Sequence, residues 1–183
     1  IVFQRINQMI TIVDYGMGNL GSLKNMFTRI GFSSIIASDV DTLKSAEKLV
    51  LPGVGAFDAA MSRISQTPLL LETLNNLVLV KKVPILGICL GMQLMTEKSE
   101  EGNLKGLGWI PAETKKFPLG TTLKVPHMGW NLVKPVCSNK ILVGIDDRSR
   151  YYFVHSYFVK VKNKRYSLMK TNYGFEFDSA IAN

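Results

Sequence analysis

Cysteine is the side chain best able to attack a carbonyl near neutral pH, and Cys89 stands where one could do so. It lies in "VPILGICLGMQLM", residues 83–95, between Gly87 and Gly91. The apolar run before it reads as a short buried strand and the residues after it as a helix. A strand, then G-x-C-x-G, then a helix is the thiol counterpart of a nucleophile elbow. Small flanking residues permit the tight turn, and the first amides of the helix can lower a thiol pKa and stabilise an oxyanion. The competing reading is a small core cysteine packed beside glycines.

A thiol nucleophile needs a base, and the chain has two histidines, His127 in "VPHMGWN" and His155 in "YYFVHSY". The first reads as a loop residue; the second ends a strand that could carry it toward the thiol. Neither has a neighbouring carboxylate, and a hydrogen-bonded structural role suits either equally. A second glycine turn, "LPGVGAF" at residues 51–57, could present backbone amides to an oxyanion if its strand lies beside that of Cys89. A third, "DYGMGN", has neither the third glycine of a dinucleotide fingerprint nor a Walker lysine. "KSEEGN", residues 98–103, reads as a solvated helix end whose acidic pair could meet a substrate ammonium group.

The elements that must hold these residues alternate in the first half. Ile10–Val13 is a β-rich run, and Leu23, Met26, Phe27 and Ile30 have helical spacing before Gly31. "SSIIAS" and "AEKLVLPGVG" read as strands. Helical patterns follow at residues 57–64 and 68–80, then the strand and helix around Cys89. The order strand, helix, strand, strand, helix, strand, helix predicts an α/β fold with a mostly parallel central sheet flanked by helices. Sites in such sheets form beyond the carboxyl ends of strands. "TLKVPHMGWNLV", "YYFVHSYFVKV", "RYSLMKTNY" and "FEFDSAIA" predict further strands, some antiparallel, in the C-terminal half, with a turn at "KNKR".

The chain has 183 residues, Lys+Arg 22 against Asp+Glu 14, and a net charge of +8. That length favours one domain, 9–183, with residues 1–8 as an extension or an expression remnant before the first plausible start, Met9. The basic residues are scattered, with no zinc spacing, aromatic RNA-binding signature or basic amphipathic helix, so neither nucleic acid nor metal is expected. The apolar runs are too short or interrupted for a membrane span, and the opening residues lack the form of a signal peptide. Two dissimilar cysteines, Cys89 and Cys137, suggest no disulfide framework, so a cytoplasmic setting is expected.

Taken together, "DYGMGNLGS", "LPGVGAFDAAM", "GICLGMQLM", "VPHMGWN", "YYFVHSY" and "GFEFDSAI" closely resemble one family, from Met9 to the last residue. It is the glutaminase subunit of imidazole glycerol phosphate synthase, a triad-type class I glutamine amidotransferase of histidine biosynthesis. The resemblance implies that Cys89 attacks the glutamine side-chain amide, and that Gly53, Val54 and Gly55 with the amide of Leu90 form the oxyanion site. Gln93, Glu101, Ser156 and Tyr157 match positions that hold glutamine. Asn19, Met128 and Trp130 match the surface facing a (β/α)8-barrel cyclase, which takes up the ammonia. No cofactor is implied.

The family's base and its orienting carboxylate lie in a His-Pro-Glu segment shortly after the motif matched by "GFEFDSAIAN", and no residue here matches them. The expectation is a truncated sequence with little glutaminase activity of its own. His127 and His155 match other positions. Competing readings are a glutaminase for surface-polysaccharide sugar amidation, a non-catalytic partner-binding fragment, and another thiol hydrolase with the same elbow.

Overall fold

The computed structural model describes residues 9–118 and 123–183. The stretch 1–8, read above as an extension, lies outside the described residues. The chain forms two compact units that divide after Met92.

The first unit is built on a parallel sheet of four strands, β1 (Ile10–Val13), β2 (Ser34–Ala37), β3 (Lys48–Leu51) and β4 (Ile85–Gly87), in the order β2-β1-β3-β4. Thr11, Ile12 and Val13 are buried in succession, as befits a central parallel strand covered on both faces. The connections carry α1 (Leu20–Arg29), α2 (Val40–Lys44), α3 (Phe57–Gln66) and α4 (Leu70–Asn75). Asn19 caps α1 by accepting the Ser22 amide at 3.2 Å. Ile12, Leu51, Phe57, Ile64, Leu70 and Leu74 are sealed from solvent at its core.

Two local features differ from the sequence reading. The short helix α2 is additional. Its five residues are too few to show a helical period, and it is set by Asp39, whose carboxylate accepts the Thr42 amide at 2.7 Å. Those Thr42 bonds hold the Asp39 pKa below the usual carboxylate range. The helix expected over 68–80 begins only at Leu70, because Leu69 sits at φ 61°, and its end widens into a π-turn over Asn76–Val80, closed by Lys81 N–H to the Asn76 carbonyl.

Helix α5 (Leu90–Leu94) crosses the division. In the second unit a six-stranded sheet runs β5-β6-β10-β12-β11-β8. Its strands are β5 (Lys98–Ser99), β6 (Ala112–Lys116), β8 (Lys134–Pro135), β10 (Tyr157–Val161), β11 (Ser167–Asn172) and β12 (Glu176–Ile181). All its pairings are antiparallel except β5 with β6. A separate ribbon pairs β7 (His127–Leu132) with β9 (Arg150–His155). "KSEEGN" therefore opens as strand β5, not as a helix end. Its Ser99 pairs with Thr114 of β6, and Glu100 is tied to β6 through the Lys116 amide and the Lys115 ammonium.

Phe117 anchors this unit at 1% exposure, with the rings of Phe158, Phe175, Phe177 and His155 5.2–5.9 Å away in tilted or edge contacts. Phe117→Ala removes the ring shared by all four, and is expected to cost about 3–5 kcal/mol of stability. Urea unfolding, with the midpoint compared at constant slope, checks it.

Candidate active site

The cysteine turn has the geometry its glycines suggested. Cys89 adopts φ 55°, one of three non-glycine residues at positive φ among those described. This conformation costs an L-residue about 1–3 kcal/mol and persists only where its surroundings impose it. They do so here through β3. The Leu51 carbonyl accepts the Ile88 amide at 3.1 Å, and a Cβ on Gly91 would lie 1.8 Å from that same oxygen. Helix α5 therefore starts directly on the end of β3, and only glycine fits at residue 91. The turn closes with Gly91 N–H to the Ile88 carbonyl and Met92 N–H to the Cys89 carbonyl, both at 3.0 Å. Cys89 is exposed and takes part in no disulfide, so the reading of a buried core cysteine fails.

β3 neighbours β4, with Leu51 opposite Gly87, so the "PGVG" turn does follow the strand beside that of Cys89. Pro52 and Gly53 are buried while Val54 is exposed, and Gly55 takes φ 106°, which a residue with a Cβ adopts only under strain. A Cβ on Gly53 would meet the Tyr15 hydroxyl at 2.7 Å, the Leu90 Cβ at 2.9 Å and the Gly91 nitrogen at 3.0 Å. The first unit thus brings together Cys89, the buried Leu90, Gly53 and Tyr15. Tyr15 donates its hydroxyl proton to the Pro52 carbonyl at 2.6 Å. Sequence reasoning gave this tyrosine no task, since one aromatic residue in a glycine turn has no periodicity to read.

In the second unit, Gln93 is buried and its Nε2 reaches the Tyr157 carbonyl at 3.5 Å. The Tyr157 phenol is pushed up, first by burial and then by the charges of Glu101 and Glu100. Glu101 is fixed by its own amide, which donates to Ser99 Oγ at 3.1 Å. Ser156 separates β9 from β10, and its carbonyl accepts the Phe117 amide at 3.4 Å. Of the residues matched to glutamine binding, Gln93, Tyr157 and Glu101 are therefore neighbours.

The two histidines are joined to each other. His127 is not in a loop; it opens β7 and pairs with His155 across the ribbon. His127 Nδ1 lies 2.9 Å from His155 Nε2, His155 Nδ1 2.7 Å from the Tyr157 carbonyl, and His127 Nε2 3.2 Å from Asn131 Nδ2. A carbonyl only accepts, so His155 carries its proton on Nδ1. His155 Nε2 then accepts from His127 Nδ1, and His127 Nε2 accepts from the Asn131 amide. All four ring nitrogens are engaged, and neither imidazole offers an open one to a thiol. The His127 ring is stacked between Tyr173 and Phe153 at 4.0 and 4.8 Å. Burial, then the charge of His155, brings its pKa down to about 4; burial also lowers that of His155.

On the other face of β7, Met128 and Trp130 are 60% and 67% exposed, and Tyr152 and Val154 of β9 extend the same apolar surface. Asn19 is exposed as well. Among the described residues no cluster of His, Cys, Asp and Glu could hold a metal ion, and no helix is long and apolar enough to cross a membrane.

Residues 11–180 match the model of glutamine amidotransferase class-I. The chain is 52% identical over 174 residues to imidazole glycerol phosphate synthase subunit HisH 2 of Methanococcus maripaludis, covering 95% of this chain and 86% of that one. It is 46% identical over 178 residues to subunit HisH of Bdellovibrio bacteriovorus, covering 96% and 87%. The fold resembles a glutamine amidotransferase crystal structure at TM-score 0.65 and 12% identity, covering 90% of this chain and 85% of that one. A second, from Thermotoga maritima, gives 0.60 at 18% identity, with coverage of 91% and 68%.

The histidine pair has a pH consequence. Both imidazoles titrate lower in the folded chain than the ordinary value near 6.5, so the unfolded chain takes up protons first. The stability they confer is complete above about pH 6.5 and is lost as the pH falls toward 4. Urea midpoints at pH 7.5 and 5 should show the drop, and His127→Gln should make the slope between them shallower.

Proposed function

Because this chain belongs to the class I glutamine amidotransferases, we propose that it is the glutamine-hydrolysing subunit of imidazole glycerol phosphate synthase, supplying ammonia for histidine biosynthesis. The observation that carries the chemistry is Cys89 at φ 55° on a strand-to-helix turn, exposed beside the backbone of a glycine turn.

The Cys89 thiolate attacks the δ-carbon of glutamine. The oxyanion that forms is held by the Leu90 amide and by an amide of the turn Gly53, Val54, Gly55. Collapse breaks the C–N bond, and the nitrogen leaves as ammonia after taking a proton. A γ-glutamyl thioester remains on Sγ; water then adds to it, releasing glutamate and restoring the thiol. Gln93, Glu101, Ser156 and Tyr157 orient the amino acid, with Glu101 suited to its ammonium group. The base is not His127 or His155, whose ring nitrogens are already engaged.

Ammonia passes to a (β/α)8-barrel cyclase partner. Met128 and Trp130 supply apolar contacts to that partner, and Asn19 supplies a polar one. Large exposed apolar side chains gathered on one ribbon face are characteristic of a surface that another protein covers.

In the full-length chain bound to its partner, Cys89→Ala should lower glutamine-dependent ammonia release by at least about 10³-fold while leaving the complex intact. Glutamate production with isotopic glutamine and co-elution of the partner measure the two. Turnover that survives would place the nucleophile elsewhere. Trp130→Ala should weaken the partner's affinity by about 2 kcal/mol with an unchanged thermal midpoint, read by titration calorimetry and a melting curve. A lowered midpoint with unchanged affinity would make Trp130 a packing residue instead.

A further inference from the structure

The residue that decides the shape of the oxyanion turn is on neither the cysteine loop nor the glycine loop. We propose that Tyr15 is a positioning residue for glutamine hydrolysis: its hydroxyl pins the Pro52 carbonyl, so the peptide entering the glycine turn is held and only the peptides around Val54 remain free to aim at the oxyanion. This rests on reading Cys89 as the nucleophile.

Tyr15 is delivered by the end of β1. Asp14 extends that strand, its amide donating to the Ala37 carbonyl at 2.9 Å. Asp14 Oδ1 then accepts the Gly16 amide at 2.9 Å, and Gly16 turns the chain at φ 81°. The turn leaves the Tyr15 ring inside, at 4% exposure. A tyrosine hydroxyl has one proton, and here it goes to the Pro52 carbonyl at 2.6 Å, a buried acceptor that needs a partner. The same oxygen stands 2.7 Å from where a Gly53 Cβ would be. It therefore braces the turn from one side, while Leu90 Cβ and the Gly91 amide close it from the other.

Constraint along the turn is graded accordingly. Pro52 has its ring-fixed φ and a pinned carbonyl, and Gly53 is wedged. Val54 is exposed and Gly55 has the backbone freedom of a residue with no Cβ. Ionisation of the Tyr15 phenol is opposed by its burial and by the charge of Cys89, so the hydroxyl keeps its proton as the thiolate forms. The stretch "DYGMGN" thus has a role in the chemistry that needs no nucleotide.

The test uses the full-length chain bound to its synthase partner. Tyr15→Phe keeps the ring and deletes the hydroxyl. The expected result is a fall in kcat of about 10- to 100-fold with KM for glutamine within about 3-fold. Alkylation of Cys89 by iodoacetamide, which forms no oxyanion at a held carbonyl, should keep its rate. Labelling by the diazoketone analogue of glutamine should slow as kcat does. Tyr15→4-aminophenylalanine restores an N–H donor at the same ring position and should recover most of the loss. An unchanged kcat in Tyr15→Phe would overturn the proposal. So would an equal loss in iodoacetamide alkylation, or a failure of 4-aminophenylalanine to rescue a folded complex. Absence of diazoketone labelling at Cys89 in the unsubstituted chain would instead overturn the glutaminase reading beneath it.

Discussion

The contact on which the cysteine turn depends is between two backbones. The Leu51 carbonyl at the end of β3 takes the Ile88 amide and at the same time leaves no space for a side chain at residue 91. If α5 began well over an ångström farther out, Gly91 could be alanine, the turn could relax, and Cys89 could leave the left-handed region. With the helix pressed onto the strand end, Cys89 is held in a conformation that costs about 1–3 kcal/mol, and the residue is exposed. The parallel pairing of β3 with β4 provides the same alignment for the glycine turn, because adjacent parallel strands end on the same side.

The second unit solves a different problem, the burial of two imidazoles beside an aromatic core. A buried imidazolium would be expensive, and the relay from Asn131 through His127 and His155 to the Tyr157 carbonyl satisfies both rings in their neutral forms. Each link fixes the next, since the terminal carbonyl can only accept. The ribbon is two-sided in consequence. Its inner face is committed to hydrogen bonds and ring stacking, and its outer face, with Met128 and Trp130, is left apolar and open.

Much of this was legible in the chain. Glycines at 87 and 91 around one cysteine announced a tight turn, and the alternation of strand and helix patterns announced a parallel sheet. What was not legible depends on partners far away in sequence or on elements too short to show a period. Asp39 to Thr42 sets a five-residue helix that no periodicity could reveal. "YYFVHSYFVKV" is rich in β-branched and aromatic residues with no glycine or proline to break it, yet Ser156 divides it between two sheets, because Tyr157 pairs with Lys116 and His155 with His127. The histidine pair itself joins residues 28 apart, and single-residue inspection could only leave each as a base or a structural group.

The same limit explains why the motif "DYGMGN" resisted interpretation. Its glycines lack the spacing of a dinucleotide fingerprint and no Walker lysine follows them, so spacing alone gave the turn no task. Gly16 does have a task here: it turns the chain so that one aromatic side chain points back beneath the neighbouring strand's exit. A nucleophile on a strained turn is useful only if the groups that receive the developing charge are equally well placed. Those groups are peptides, which have no side chain to be locked by packing. Their orientation has to be imposed through a neighbouring carbonyl, and a buried hydroxyl of a rigid ring, reaching from the adjacent strand, is a direct way to impose it.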